Sequence, residues 1–304
     1  MKSLILYSII GASALAVGAG GGIVYKRVIQ KPTQNITGFN PEVCKPNAEE
    51  LFAKVNKVGP KIAVSTLEPV DIANYATEKY KTYENSVSFC KGLASTIVSQ
   101  EIRNAQIKNG STYFEESVSK SSMVGIGKRM IQEGIDGPVK MYNEKSAGDV
   151  TIDELKVHTN FKDKAEDFTS EKYKEAYGRT LNDMFIYCVH SITVKNGSVT
   201  PEGDGYKVVL DLDPIMGGYQ YRYQMLNISG LDALPIFNFI TITYTLDSNL
   251  DLVHIQAHEA YRAKMGVEVE IENTLEYDFF PNVKWEIPQI NEDINYEALK
   301  EMVK

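Results

Sequence analysis

The stretch Val267–Phe279, VEVEIENTLEYDF, decides the fold of this 304-residue chain. Apolar residues stand at every second position and are interrupted only by Asn273, while acids and Thr274 fill the positions between them. Successive side chains of a β-strand point to opposite faces. The pattern therefore predicts a long strand with one buried face and one wet, acidic face.

Two segments before this strand repeat the alternation. Residues 253–263 place apolar side chains opposite His254 and His258, and residues 236–246 carry a third apolar row. Because the connections are short, the segments predict an antiparallel meander over Phe237–Phe280. The acidic row Glu268–Asp278 then lies on the outer, solvated face. The predicted apolar lining of a ligand site on the inner face is Ile240, Ile242, Tyr244, Ile255, Tyr261, Val267, Val269, Ile271, Leu275 and Tyr277.

Helical signals precede and divide the strands. Asn47 can cap a helix, and Pro69 opens a second one. The strongest three- and four-residue period predicts a third helix, from Tyr173 to Cys188. Asn109-Gly110 and Asn196-Gly197 predict hairpin turns.

Aromatic residues are plentiful in the predicted strands, and Tyr219–Ile228 is one of these strands. Such side chains commonly fill an ordinary core, but a wide curved sheet can also leave a concave apolar surface for a ligand. The fold class is thus α+β: a strongly curved antiparallel sheet, or half-barrel, packed on a few helices. We divide the chain into a membrane anchor or signal segment (1–31), a linker (32–45) and a single domain (46–304).

The first 31 residues differ from the rest. Leu4–Tyr25 is an apolar run of membrane-spanning length, with Lys2 before it and Lys26 and Arg27 after it. An uncleaved anchor and a cleavable signal both fit, since Ala14-Leu15-Ala16 offers small residues for cleavage. The basic flank after the run favours a cytosolic body, whereas the short basic head favours export. We expect a single-pass membrane protein with an extracytoplasmic domain, or a secreted protein if the segment is cleaved.

Charge and cysteine content narrow the function. The net charge is −8, and the body after residue 31 is more acidic still. Such a body repels nucleic acid, and we expect no nucleic-acid partner. Cys44, Cys90 and Cys188 are far apart and lack a C-x-x-C spacing, which disfavours a zinc or iron–sulfur site. One disulfide with a spare thiol fits this number.

The sequence offers no catalytic constellation. His254 and His258 could share a metal on a helix, but in a strand four residues span about 13 Å, and Glu259 points to the other face. No G-x-S-x-G motif is present. We expect a non-enzymatic protein without a cofactor or metal.

The order of elements resembles the bacterial lipoprotein-carrier superfamily, which includes LolA-type carriers and LppX- and LprG-type lipid carriers. The likeness lies in the strand-turn-strand stretch Gln100–Glu116 and the meander Phe237–Phe280, and it covers roughly residues 45–280. It implies a half-barrel that encloses acyl chains. This chain lacks the lipid-attachment cysteine of the mycobacterial members, and no ligand residue carries over.

Two functions follow. The first is an extracytoplasmic module that binds a lipid or other hydrophobic small molecule in the concave face of its sheet. The second is a structural or protein-interaction domain of the cell envelope, with a solid core and exposed loops or a strand edge for its partner.

Overall fold

The computed structural model describes residues 39–95, 99–120, 124–147, 166–183, 187–229, 231–265 and 267–301. A 3-10 turn at Pro41–Cys44 comes first within these ranges. The helices are α1 (Ala48–Val58), α2 (Pro60–Thr66), α3 (Pro69–Thr82), α4 (Ser170–Tyr177), α5 (Tyr219–Ser229) and α6 (Tyr296–Glu301). The strands are β1 (Asn85–Ser95), β2 (Gln100–Asn109), β3 (Thr112–Lys120), β4 (Val124–Glu133), β5 (Val139–Ala147), β6 (Glu166–Phe168), β7 (Val194–Glu202), β8 (Gly205–Leu212), β9 (Ile236–Leu246), β10 (Leu252–Met265) and β11 (Val267–Pro281).

The strands form one open antiparallel sheet. Their order is β6-β5-β4-β3-β2-β1-β11-β10-β9-β8-β7. Strands β1–β6 form one meander and β7–β11 form another, and the two are joined where β11 pairs with β1. The predicted meander is confirmed: β10 pairs with both β9 and β11, and Ile255 lies between Tyr244 and Tyr277. The α+β class with a large antiparallel sheet is confirmed as well.

One face of the sheet, here called the inner face, packs against helices. Helix α3 lies across β7, β8 and β10, and its Ile72, Ala73 and Ala76 are fully buried in the main core. Helix α4 covers the β4–β5 end, where Tyr173 and Tyr177 lie over Met130 and Met141. Burial of a side chain as large as that of Ile72 stabilises the fold by about 1.5–3 kcal/mol.

The opposite face, here called the outer face, is covered over β1–β4 by the C-terminal segment 283–301. Trp285 and Tyr296 of this segment pack with Phe89 and Phe114 of the sheet. Beneath it lies Arg129, whose side chain is fully buried. The Arg129 guanidinium donates to Glu116 at 2.6 Å and to backbone carbonyls of the segment.

Capping chemistry explains where several helices begin and end. The Asn47 side chain accepts from the Glu50 amide at 3.3 Å, which confirms the predicted start of α1. Helix α3 begins at Pro69, as predicted. Helix α4 ends at Gly178, which has a left-handed φ of 69°. The predicted helix Tyr173–Cys188 is therefore too long, because its apolar period continues past a residue that terminates the helix.

Two further predictions were wrong. Tyr219–Ile228 was predicted as a strand, but Tyr219–Ser229 is helix α5; the alternating tyrosines imitated a strand period. Asn196-Gly197 lies inside β7, and the turn falls after Glu202 instead. A Cβ on Gly197 would lie 3.0 Å from the Pro69 Cβ and 3.1 Å from Leu210. Glycine at this position therefore serves close packing of α3 on the sheet.

The predicted membrane segment, Leu4–Tyr25, lies outside the described residues. Within the ranges that the structure describes, no helix has both the length and the apolar character required to cross a bilayer.

Candidate functional site

The predicted lining residues share the inner face of β9–β11. Ile240, Ile242, Tyr244, Ile255, Tyr261, Ile271 and Leu275 are buried in the main core, and Val269 and Tyr277 are partly buried against it. The side chain of Val267 lies outside what the structure describes. The acidic row faces outward as predicted: Glu268, Glu270, Glu272 and Glu276 are exposed, and Asp278 is partly exposed.

The two histidines also lie on this outer face. His254 Nδ1 lies 2.8 Å from Asp278, and His258 Nε2 lies 2.8 Å from Glu272. Each therefore pairs with a different acid of the neighbouring strand, as cross-strand neighbours do.

A cavity of about 280 Å³ lies beside the predicted lining, next to α3 and the start of α5. Its size is close to the lower end of small-molecule sites, which run from roughly 300 to 1,000 Å³. Tyr244 is the member of the predicted lining that borders it, and Tyr187 and Val189 extend this apolar wall. Asn74 on α3 donates to the Val189 carbonyl at 2.9 Å and ties α3 to this wall.

A disulfide holds one edge of the cavity in place. Cys44, which borders the cavity, is bonded to Cys188, and their Cα atoms are 4.7 Å apart. The bond joins the 3-10 turn before α1 to the segment that carries Tyr187 and Val189. The cysteine content allowed one disulfide with a spare thiol, and the structure has this arrangement, since Cys90 is free and buried.

The mouth of the cavity is charged, but its charges pair with one another. Lys81 lies 2.7 Å from Asp183 and 2.8 Å from Glu78. Burial lowers the pKa of Lys81, but the two acids outweigh burial and keep that pKa above its ordinary value. Arg179 donates to both oxygens of Glu115 at 2.7 Å. Lys81, Glu78 and Asp183 are partly exposed, whereas the Arg179–Glu115 pair is almost fully buried behind them. These paired charges offer polar contacts without a strong net charge.

A polar group interrupts the apolar inner face behind Tyr187. Glu259 on β10 is fully buried and stands directly opposite Asn273 on β11. The Glu259 carboxyl accepts from Tyr187 Oη at 2.6 Å, Asn273 Nδ2 at 3.1 Å and Tyr221 Oη at 3.4 Å. Burial raises the pKa of Glu259 to about 7, against the lowering effect of these hydrogen bonds.

This cluster was absent from the predicted site, although part of its signal was visible. Asn273 is the one break in the apolar row of β11, and Glu259 is the break in the apolar row of β10. Two breaks at paired positions of neighbouring strands indicate a shared polar contact. Tyr187 and Tyr221 could not be assigned to it, because they approach from segments whose secondary structure was mispredicted.

The fold and the site together define an α+β protein with an open antiparallel sheet, whose helices cover an apolar inner face. No protein-family model matches this chain. No curated protein matches it either.

The solved structures with some similarity include the following three. A LolA superfamily protein from Nitrosomonas europaea has 10% identity and a TM-score of 0.23, covering 72% of this chain and 96% of that chain. A beta-barrel-like protein of a domain of unknown function from Brucella abortus has 8% identity and a TM-score of 0.25, covering 65% and 98%. A porin-like protein from Bacteroides uniformis has 9% identity and a TM-score of 0.19, covering 66% and 97%. The resemblance to the LolA superfamily is thus found among solved structures too, but at these TM-scores it carries no argument about function.

Proposed function

We propose that this chain is a non-enzymatic, extracytoplasmic binding protein that takes a lipid or another hydrophobic small molecule on the inner face of its sheet. The observation that carries the proposal is the cavity of about 280 Å³ at the margin of the apolar core. Tyr187, Val189 and Tyr244 form its apolar wall, and the paired charges around Lys81 form its partly exposed polar mouth. The apolar part of a ligand packs against this wall.

The cysteine chemistry supports the proposed compartment. Cys44 and Cys188 are 144 residues apart in sequence and form a disulfide, and such bonds persist in oxidising environments. The apolar run Leu4–Tyr25 fits an anchor or export signal for such a domain. The chain would then be held at the membrane, or be secreted if the run is cleaved.

Two matched variants of α3 test the site. Thr77 lines the cavity, whereas Thr82 is exposed at the end of the same helix. Both hydroxyls donate to a backbone carbonyl of α3, at 2.9 Å and 2.7 Å. Thr77→Phe fills the cavity, and Thr82→Phe is its control with the same chemistry in solvent.

The measurement is native and denaturing mass spectrometry of the full chain, gently purified, followed by solvent extraction. We expect a bound species of lipid mass in the wild type and in Thr82→Phe, and its loss in Thr77→Phe. An equal ligand content in both variants would show that the ligand does not occupy this cavity. A wild type that carries no ligand and takes up no added lipid would support the protein-interaction domain instead.

A further inference from the structure

The polar cluster at Glu259 lies within the apolar core but leaves some of its hydrogen-bonding groups unused. Tyr261 Oη and Asn273 Oδ1 are both buried, and neither has a hydrogen-bond partner within the described part of the chain. Asn273 already donates to Glu259 through its Nδ2, so the unpartnered oxygen belongs to the amide group that contacts the carboxyl. Tyr261 is two residues from Glu259 on the same face of β10. Buried polar atoms normally have hydrogen-bond partners. The two oxygens can therefore each accept a hydrogen bond from an additional donor.

The cluster also lacks a positive charge. Within the described residues, no lysine or arginine forms an ion pair with Glu259. The titratable groups that act on it are the phenols of Tyr187, Tyr221, Tyr261 and Tyr277, and the imidazole of His258, which lies on the outer face. Burial keeps the pKa of these four phenols well above the ordinary value, so they are neutral at physiological pH. The contrast with the cavity mouth is clear, since every acid there has a cationic partner.

Aromatic rings form a continuous row around this acid. The ring centroids of Tyr187 and Tyr221 are 5.3 Å apart, those of Tyr221 and Phe237 are 5.8 Å apart, and those of Phe237 and Tyr261 are 5.0 Å apart. A buried acid beside aromatic rings is a chemical environment that attracts an organic cation.

The cluster and the cavity share one residue. Tyr187 borders the cavity and donates to Glu259 Oε2 at 2.6 Å. Glu259, Asn273 and Tyr261 do not line the cavity themselves, so a group that enters from the cavity reaches the carboxyl only by displacing the Tyr187 hydroxyl from its hydrogen bond.

We propose that Glu259, Asn273 and Tyr261 form the polar end of the ligand site and bind the primary ammonium group of the ligand. The three N–H donors of such a group satisfy the Glu259 carboxylate, Asn273 Oδ1 and Tyr261 Oη, and its charge supplies the missing cation. This inference rests on the proposed function, because the apolar part of the same molecule occupies the cavity. The ammonium belongs either to a simple alkylamine or to the head group of an aminolipid.

Three six-carbon probes distinguish the effect of the charged group from that of the alkyl chain. They are n-hexylamine, n-hexanol and hexanoic acid. The thermal unfolding midpoint of the full chain is titrated with each probe at pH 8, because a ligand of the folded state raises this midpoint with concentration. We expect n-hexylamine to bind about tenfold tighter than n-hexanol, since a charge-assisted hydrogen bond is stronger than a neutral one. Hexanoic acid binds most weakly, because its carboxylate meets Glu259.

Substitutions assign the preference to the cluster. Glu259→Gln keeps the size of the side chain and brings the ratio of amine to alcohol affinity to about one. Tyr261→Phe removes only the unpartnered hydroxyl and lowers the ratio less. Glu268→Gln, on the exposed outer row, keeps the wild-type ratio. Lowering the pH to 6 also reduces the ratio in the wild type, because Glu259 then carries a proton.

The outcomes are distinguishable. A wild type that binds n-hexanol and n-hexylamine equally overturns the ammonium site and leaves the proposed function intact. A chain whose midpoint responds to none of the probes overturns both. A second arm identifies the source of the amine: a lysophosphatidylethanolamine adduct in native mass spectrometry that exceeds the lysophosphatidylcholine adduct, and is lost in Glu259→Gln, assigns a lipid head group. A response to n-hexylamine without that adduct assigns a free alkylamine.

Discussion

At the scale of single residues, the inner face of the sheet shows how one acid changes the electrostatics of an apolar core. Glu259 is fully buried, and its hydrogen bonds come from two phenols and an amide. Neutral donors stabilise a carboxylate less than a cation does, so burial determines the direction of its pKa shift.

This shift predicts a pH dependence of stability. The pKa of Glu259 rises from 4.5 in a model peptide to about 7 in the fold. Between these values the folded chain holds a proton that the unfolded chain has released, so the free energy of unfolding falls as the pH rises. The loss is on the order of 3 kcal/mol and is complete above the folded pKa.

Urea denaturation at pH 4.5, 6 and 8 measures this dependence. Glu259→Gln should flatten the profile over that range, whereas Glu268→Gln, on the wet face, should leave its shape unchanged. A profile of Glu259→Gln that still falls as steeply as that of the wild type would contradict the assignment.

On the outer face, Arg129 is a fully buried charged residue, as Glu259 is on the inner face. Its guanidinium pairs with Glu116 at 2.6 Å and holds the carbonyls of Gln289 and Ile290 at 2.8 Å and 2.7 Å. Arg129→Met leaves Glu116 buried with the Arg103 guanidinium 3.9 Å away. We expect a loss of about 3 kcal/mol in the free energy of unfolding, because the buried Glu116 loses its closest cationic partner and keeps only the weaker attraction of the more distant Arg103.

The same substitution should loosen the C-terminal segment, so trypsin should cut residues 283–301 sooner than in the wild type. Arg262→Met is the control, since Arg262 is partly exposed and pairs with Glu268 at 3.3 Å. Its expected cost is below about 1 kcal/mol. Similar costs for the two variants would show that Arg129 does not anchor the segment.

At the scale of elements, close packing between a helix and a strand restricts the size of a side chain, and the local sequence pattern does not show this restriction. Gly197 lies in β7 where α3 crosses it, and a Cβ there would approach Pro69 and Leu210 to 3.0 Å and 3.1 Å. Gly197→Ala should destabilise the fold by about 1 kcal/mol, because overpacking pushes α3 away from the sheet. Thermal unfolding measures the effect.

Ser198→Ala is the matched control, because Ser198 is exposed on the same strand. It should change stability by less than about 0.5 kcal/mol. If Gly197→Ala were equally neutral, the contact between α3 and β7 would be looser than the structure shows.

Two elements differ from their sequence patterns for local reasons. Helix α5 carries tyrosines at alternate positions, yet the Asp213 side chain accepts from the Ile215 and Met216 amides and turns the chain before the helix begins. Helix α4 stops at Gly178 although the apolar period continues, because the left-handed residue redirects the chain towards the cavity. Periodicity thus predicts the extent of a helix or strand well only where no local signal terminates that element.

At the scale of the whole molecule, the disulfide relates the fold to its compartment. Cys44 and Cys188 are bonded, while Cys90 is buried, and burial raises its pKa. A thiol of this kind reacts slowly in the folded protein, since the thiolate is the reactive form. The three cysteines should therefore respond differently to an alkylating reagent.

We expect protein taken from cells under acid quench to accept no maleimide while folded. It should accept one after denaturation without reductant, and three after denaturation with reductant, which a gel shift counts. Three reactive thiols without reductant would contradict both the bond in cells and the proposed extracytoplasmic location.

The sequence alone determined which side chains of β9, β10 and β11 face inward, where α1 and α3 begin, and that one disulfide could form. The strand faces and the helix starts depend on interactions between near neighbours in the chain, whereas the possibility of one disulfide depends only on the number of cysteines. Only the tertiary structure decided that β1 lies beside β11, that Asn104 and Glu115 make the inner face polar near α4, and that a cavity opens beside Tyr187.

The position of the buried Glu259 follows from the sequence pattern, whereas its hydrogen-bond partners follow from the tertiary structure. Alternation placed Glu259 on the inner face, but its partners Tyr187 and Tyr221 come from 72 and 38 residues earlier in the chain. Which distant groups meet depends on how strands and helices close around one core, and that closure depends on packing of the whole chain rather than on any local period.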